Sequence, residues 1–401
     1  MSLIRAARLG LSSVLALGLM VGMSASALAQ ESTPAAAPVT AAVAAAASSA
    51  QAASQDGFVN FFRKTEIAGT ADMYYHYNFN KPPTGSFTPL RNFDSQHNQF
   101  SFALVELALI KPPTSDDRVG FRFDFDYGPV TAWVHSAEPG GSNVGPDVFQ
   151  HVQQAYISYL APVGKGLTVD IGKFVTHNGA EVIEAKDNWN YSRSLLFAWA
   201  IPYYHMGVRV GYAPNDKVSL MGAVLNGWNN VTDNNSAKTY GAEAIVKPVA
   251  PLSIVLNYTG GPEQTDNSDD WRHLFDTTLT YTVNPKVSVM GNYDYGRDKV
   301  GRSDATWQGI ALYAKAQPTP VFALIPRFEY YDDSDAGFTT GTAQKVKEFT
   351  LTAECKHTQG LIMRLEYRRD WSDVDSFEKG GKPRDNQNTF SVGFIYAFST
   401  K

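Results

Sequence analysis

The chain has 401 residues and a formal charge of -5 from 34 Lys+Arg and 39 Asp+Glu; hydrophobic residues make up 44%, but aromatics reach 12% while charged residues fall to 18%. Soluble domains carry about 25% charged residues, so this balance is unusual for a cytosolic enzyme. The acidic total leaves no basic footprint for nucleic acid, and the single cysteine, Cys355, excludes a disulfide-stapled scaffold.

Arg5 and Arg8 precede an apolar stretch from Leu9 to Met23, and Ala27-Leu28-Ala29 supplies small residues for a signal peptidase. Residues 1–29 therefore read as a secretory signal and the mature chain is expected to start at Gln30; an uncleaved anchor is the alternative. No later stretch offers about 18 consecutive apolar residues, which excludes an α-helical membrane protein. Residues 30–56 are almost entirely Ala, Ser, Thr, Pro and Gln; they cannot build a core and are expected to be a flexible linker, or else an Ala-rich helix. The stretch 57–64, with Phe58-Val59-Asn60-Phe61-Phe62, is amphipathic: it suits a barrel mouth or membrane interface, or simply leads into the first strand.

From Thr65 onward one unit recurs, eight to thirteen residues of alternating apolar and polar character followed by a break. In Arg118–Gly128, Val119, Phe121, Phe123, Phe125 and Tyr127 share one face, and Arg118, Arg122, Asp124 and Asp126 the other. The segments lie near 65–79, 99–110, 118–128, 151–161, 166–175, 205–213, 217–226, 238–247, 251–259, 273–283, 286–296, 305–316, 320–331, 345–356, 360–371 and 387–398. The connections alternate between short turns, such as Lys111-Pro112-Pro113 and Ala213-Pro214-Asn215-Asp216, and long polar loops, such as 227–237, 297–304 and 372–386. An antiparallel outer-membrane barrel has tight turns on one rim and long loops on the other, whereas a soluble sandwich has no such rule. Closure is required because an extended chain in lipid must pair every backbone N–H and C=O. The fold class expected is all-β, a transmembrane up-and-down barrel of about sixteen strands over 65–401. Tyrosines toward strand ends, among them Tyr75, Tyr77, Tyr127, Tyr212, Tyr293, Tyr295, Tyr330 and Tyr331, suit interfacial girdles. Phe390, Val392, Phe394, Tyr396 and Phe398 give the last strand an aromatic lipid-facing side.

A barrel of this size has a lumen too wide for side chains to fill, so it should hold water. The inward parity is polar and of both signs, including Glu106, Arg122, Asp124, Asp126, Asp170, Arg209, Glu243, Asp276, Asp294, Arg327, Glu329, Glu354, Arg364, Glu366 and Arg368, and facing rows of opposite charge would set a transverse field in the pore. Lys173 falls on the lipid parity and is expected either to snorkel at the rim or to be turned inward by a bulge.

Several stretches resemble the OmpL-like outer-membrane β-barrel porin family: Phe93-Asp94 with Asn98, Val119-Gly120-Phe121-Arg122-Phe123-Asp124, and above all Gly172-Lys173-Phe174, Gly179-Ala180-Glu181, Asn188, Ser192-Arg193-Ser194-Leu195-Leu196-Phe197, Pro202 and His205-Met206-Gly207-Val208-Arg209. With the barrel pattern the similarity covers most of the mature chain. Thr176-His177-Asn178 departs from it, standing where the family has a Thr-Pro-Phe-like stretch. The resemblance implies a diffusion channel for small hydrophilic solutes or ions in the outer membrane of a Gram-negative bacterium, reached by the Sec pathway. The implied partners are membrane lipids and lipopolysaccharide, the barrel-assembly machinery and, as in general porins, two further copies forming a homotrimer; no cofactor or metal is implied. General porins fold inward the loop after the fifth strand. Residues 175–204 are therefore the expected constriction, with Glu181, Asn188, Tyr191 and Arg193 near the eyelet; an external loop with no role in selection is the alternative.

Enzyme signatures are weak. The eight histidines are scattered without an H-x-x-x-H pair, and no G-x-S-x-G elbow or phosphate loop occurs. A barrel phospholipase or protease would have to pair His177 or His205 with Ser192 or Ser194. An adhesin or wall-anchoring barrel is a third class, with 30–56 as its tether.

Overall fold

The computed structural model describes residues 59–401 except 84, 142, 143, 301 and 358. The expected signal at 1–29 and linker at 30–56 lie outside the described residues. Asn60–Lys401 form one compact unit.

Its strands are β1 (Glu66–Asn78), β2 (Gln99–Lys111), β3 (Val119–Tyr127), β4 (Val152–Ala161), β5 (Leu167–Val175), β6 (Tyr204–Asn215), β7 (Val218–Leu225), β8 (Thr239–Val246), β9 (Leu252–Pro262), β10 (Trp271–Asn284), β11 (Val287–Val300), β12 (Ser303–Thr319), β13 (Phe322–Asp332), β14 (Lys345–Lys356), β15 (Leu361–Ser372), a small hairpin β16 (Phe377–Lys379) and β17 (Lys382–Arg384), and β18 (Asn386–Ser399). All but the hairpin form a closed antiparallel barrel of sixteen strands in sequence order, in which β18 pairs with both β15 and β1. Closure places Tyr74 opposite Gly393 and leaves no unpaired edge.

The alternation predicted from sequence sets the two faces. Leu107, Phe125, Ile171, Leu256, Phe275, Leu279, Leu312 and Leu365 point outward and are exposed, an apolar belt that only hydrocarbon would cover favourably. Tyr75, near the end of β1, hydrogen-bonds Asn98, as an interfacial tyrosine does, whereas Tyr293 lies in the middle of β11 and bonds Gln308 on β12. Residues 60–64 are helical; Phe61 stacks on Phe121 at 5.8 Å between ring centroids, and Lys64 pairs with Asp117 at 3.1 Å, so this stretch docks on the short-turn rim.

Three expectations change. Residues 297–304 are not a loop: β11 runs to Val300 and β12 starts at Ser303, with these two residues paired, because Arg297, Asp298 and Lys299 find cross-strand partners. Tyr331 is not in a girdle; it pairs in register with Gly309 on the inward face, is fully buried, and hydrogen-bonds Thr339. The largest correction concerns the lumen. It is not a uniformly wet pore, because an apolar core lies inside it, made of Tyr74, Leu104, Trp307 and Tyr331 from the wall and Tyr191, Leu195, Leu196 and Phe197 from the connection between β5 and β6.

Candidate constriction within the barrel

The connection between β5 and β6, residues 176–203, enters the lumen. Thr176 N–H still bonds Tyr203 C=O at 3.0 Å, continuing the ladder, and Asn178 reaches Thr259 at 2.9 Å, so the Thr176-His177-Asn178 stretch pins the root of the segment to β9. Gly179 then adopts φ +90, a left-handed conformation in which a Cβ would press on Ile201, and the chain turns inward. Short helical turns follow at Ala185–Asp187 and Leu196–Ala200. Two inward glycines make room: a Cβ on Gly393 would overlap the Tyr191 ring, and one on Gly309 would overlap Leu196.

An irregular segment away from water carries backbone groups that need partners. The inward charges of β13–β15 supply them. Arg364 donates to the carbonyls of Ala185 at 2.6 Å and Asn190 at 3.1 Å and also to Asn188; Arg327 donates to Ser192 O at 2.7 Å, and Arg368 to Arg193 O at 2.8 Å. The glutamates take the N–H groups: Glu366 accepts from Tyr191 at 2.7 Å and Ser192 at 3.0 Å, Glu329 from Leu195 at 2.7 Å, and Glu181, within the segment, from Ser194 at 2.7 Å. The arginines are themselves neutralised, Arg327 by Glu348 at 2.8 Å and Glu181 at 3.0 Å, Arg364 by Glu354 at 2.7 Å, and Arg368 by Asp370 at 2.7 Å. A planar guanidinium with five donors can hold a carboxylate and several carbonyls at once, which an ammonium cannot.

The residues expected at the eyelet are thus inside the barrel but mostly covered. Arg193 turns back on its own segment, donating to Tyr191 O at 2.6 Å and Val182 O at 3.1 Å and lying 4.7 Å over the Phe93 ring. Asn188 exchanges hydrogen bonds with Val182 at 2.7 and 2.9 Å. Tyr191 donates to Asp72 at 2.8 Å; burial and that carboxylate push its phenol well above the ordinary range, so it stays a donor. Glu181 accepts from Tyr313 at 3.0 Å as well as from Arg327. Arg364, Glu366 and Arg368 face inward as the alternation requires, yet they bind the segment rather than open water. Asp126 is fully buried.

The opposite wall differs. Arg122 on β3 and Arg209 on β6 have side chains 33% and 24% exposed, whereas Arg327 and Arg364 show 0%. Arg122 pairs with buried Asp124 and Arg209 with Asp170, both at 2.8 Å, so each carboxylate lies behind its guanidinium. Arg209 also lies 4.4 Å over the Phe174 ring. Tyr156 and Glu243 are half-buried inward neighbours there; Lys315 on β12, 3.7 Å from Glu354, is half-buried beside the clamp instead, and on the segment Lys186, Asp187 and Trp189 keep exposure. Sequence reasoning missed Tyr156, Lys315, Lys186, Asp187 and Trp189. Lys315 shares the parity of Tyr313 and Ala311, a signal that was there to read; the segment's turns have no periodicity to reveal its three.

Lys173 is neither at a bare rim nor solvated: the connection 128–151 covers it, and it donates to Val152 O at 2.6 Å beneath the Tyr204 ring. The Ser and His candidates do not meet. His205 bonds Gly227 O at 3.0 Å and Thr176 at 3.2 Å, His177 faces Tyr258 O at 3.2 Å, Ser192 is held by Arg327 and Ser194 caps Phe197 N–H.

Residues 64–398 match the model of a family described as putative beta-barrel porin-2, OmpL-like. No curated protein sequence is detectably similar. Among solved structures, the barrel resembles OmpF of Salmonella typhi in complex with daunomycin, with TM-score 0.59 and 12% identity over 83% of this chain and 97% of that one. It also resembles the outer membrane channel DcaP of Acinetobacter baumannii, with TM-score 0.54, 12% identity and the same coverages. OmpT of Vibrio cholerae, described in a trimer form, gives TM-score 0.54 and 13% identity over 83% and 99%.

Proposed function

We propose, from the premise that the chain belongs to the OmpL-like putative β-barrel porin-2 family and is an outer-membrane porin, that small hydrophilic solutes and ions diffuse along a lane between the 176–203 segment and the wall of β3–β9. The segment is the constriction. The observation that carries this reading is the asymmetry of the inward face: on β13–β15 the charges are consumed by the segment's backbone, while Arg122, Tyr156, Arg209 and Glu243 keep water access. Because Asp124 and Asp170 are shielded behind their arginines, the charge presented to the lane by β3 and β6 is positive, which favours anions. Deleting residues 180–192 and recording single channels in planar bilayers tests the constriction: a larger current step is expected, and an unchanged step overturns it. Reversal potential in a salt gradient tests the anion preference.

No reaction is assigned to the barrel. Export by the segment 1–29, contact with lipopolysaccharide, delivery by the barrel-assembly machinery and a homotrimeric assembly complete the proposal. N-terminal sequencing of the mature protein and mass determination of the detergent-solubilised assembly check the first and the last.

A further inference from the structure

The inserted segment is gripped on one flank by arginines and glutamates of β13–β15; on the other it meets something different. Glu106 on β2 and Asp126 on β3 are direct cross-strand partners on the inward face. Glu184 of the segment reaches them, and one carboxylate oxygen from each of the three lies within 4.8 Å of the others, all three residues being buried. Like charges placed directly opposite destabilise a sheet, and a third carboxylate worsens the repulsion. Among the described residues no cation forms an ion pair with the three: Arg122 holds Asp124, Lys186 holds Asp187, and Lys173 donates to Val152 O. Independently of the clustering, both Asp126 oxygens and Glu106 Oε2 have no hydrogen-bond partner among the described residues, although Asp126 is 0% and Glu106 4% exposed. Buried carboxylate oxygens without donors are costly and call for a partner, which a bound cation would supply.

We propose that Glu106, Asp126 and Glu184 form a calcium site that fastens the free flank of the constriction to the barrel wall. An all-oxygen, triply anionic donor set suits a hard cation. Calcium–oxygen distances of about 2.3–2.6 Å let oxygens across one ion stand up to about 5 Å apart, which the cluster satisfies. Calcium is preferred to magnesium because the site is buried, and magnesium gives up its waters reluctantly. The arrangement gives the segment two unlike anchors: a covalently built set of arginines on one side and a removable ion on the other. Its effect on the channel rests on the constriction reading; the binding itself does not.

The test uses the full mature chain refolded without lipopolysaccharide in detergent, stripped with EDTA, and heated while tryptophan fluorescence is followed during calcium titration. A calcium-dependent rise in the thermal midpoint is expected, with magnesium weaker at equal concentration and terbium giving sensitised luminescence at the same site. Asp126→Asn and Glu184→Gln should fold without calcium, since each relieves repulsion, and weaken binding by about tenfold or more because affinity tracks ligand charge. Asp304→Asn, on the β11–β12 hairpin and paired with Arg297, should keep the full shift. The proposal is overturned if the wild-type midpoint ignores calcium, as it would if the cluster were held by shared protons, or if Asp126→Asn and Glu184→Gln retain the shift. In bilayers, EDTA should change the step size of the wild type and not of Asp126→Asn. Binding with unaltered steps overturns the coupling to the channel, while absence of any steps counts against the channel reading and leaves the thermal assay to judge the metal.

Discussion

The walls of β13–β15 and of β3–β6 both carry inward arginines paired with acids, yet the arginines of one are dry and those of the other reach water. Arg327 and Arg364 are fully buried and their donors end on backbone carbonyls of the 176–203 segment; Arg122 and Arg209 pair with a single carboxylate each and keep part of their surface open. The difference does not lie in the strands. It lies in which wall the inserted segment leans against, and it teaches that inward polarity identifies the lumen face without telling whether that face conducts or clamps.

The strongest way to break the contrast is to remove a clamp. Arg327→Met leaves Glu348, Glu329 and Glu181 buried without their guanidinium and frees Ser192 O. Breaking a buried charge network by removing one partner costs about 3–5 kcal/mol, so the variant should unfold at markedly lower urea and, where it inserts, give wider and noisier current steps. Equal stability to the wild type would mean that the segment is held by its apolar contacts alone.

A smaller effect is expected where the clamp is steric. Gly393→Leu puts a side chain into the space of the Tyr191 ring. Overpacking of this kind costs about 1–3 kcal/mol, and since the Tyr191 hydroxyl is tied to Asp72, the ring cannot leave without losing that bond. Protease accessibility of the segment in the folded barrel should rise; a variant as resistant as wild type would show that the ring has somewhere else to go.

On the wet wall the same kind of substitution should cost less. Arg209→Gln breaks a pair whose guanidinium keeps water access, so its cost should fall below that of Arg327→Met, and it deletes a positive charge from the lane. The reversal potential should move toward cation preference, with a smaller drop in the thermal midpoint than Arg327→Met gives. If selectivity stays fixed, the lane runs elsewhere.

These predictions follow the boundary between what the sequence discloses and what it withholds. The barrel was legible because period-two alternation leaves a trace in every strand: Phe121, Phe123 and Phe125 outward, Arg122 and Asp124 inward, as the register shows. The inserted segment was expected from its length together with the general-porin habit of folding inward the loop after the fifth strand, against the alternative of an external loop. What could not be read was which side it would lean on. Arg193 looked like an eyelet charge and instead folds back on Tyr191 O and Val182 O, and Arg364 looked like a pore-lining charge and instead binds Ala185, Asn188 and Asn190. Side-chain type sets the number of donors; only the path of an irregular backbone decides where they end, and no local period encodes it.

The first long connection, 79–98, allows the finest probe of the dry side, because one of its ion pairs touches the clamp. Arg91 pairs with buried Asp94 and approaches Glu366, the acceptor for Tyr191 and Ser192, at 3.9 Å. Burial alone would raise the Asp94 carboxyl, but the Arg91 guanidinium outweighs it and holds the group below its ordinary value of 3.8. A carboxyl with a depressed folded value stabilises the fold while ionised: the contribution is complete above the unfolded value and is lost as pH falls through the lower, folded one. The Asp94 contribution should therefore stay constant between neutral pH and about 4, and further acidification should remove it, detectable as faster proteolysis at 79–98. Asp94→Asn should remove that acid limb while leaving the wet wall's reversal potential as it was; an acid limb that persists in the variant would place the sensitive carboxyl outside this pair.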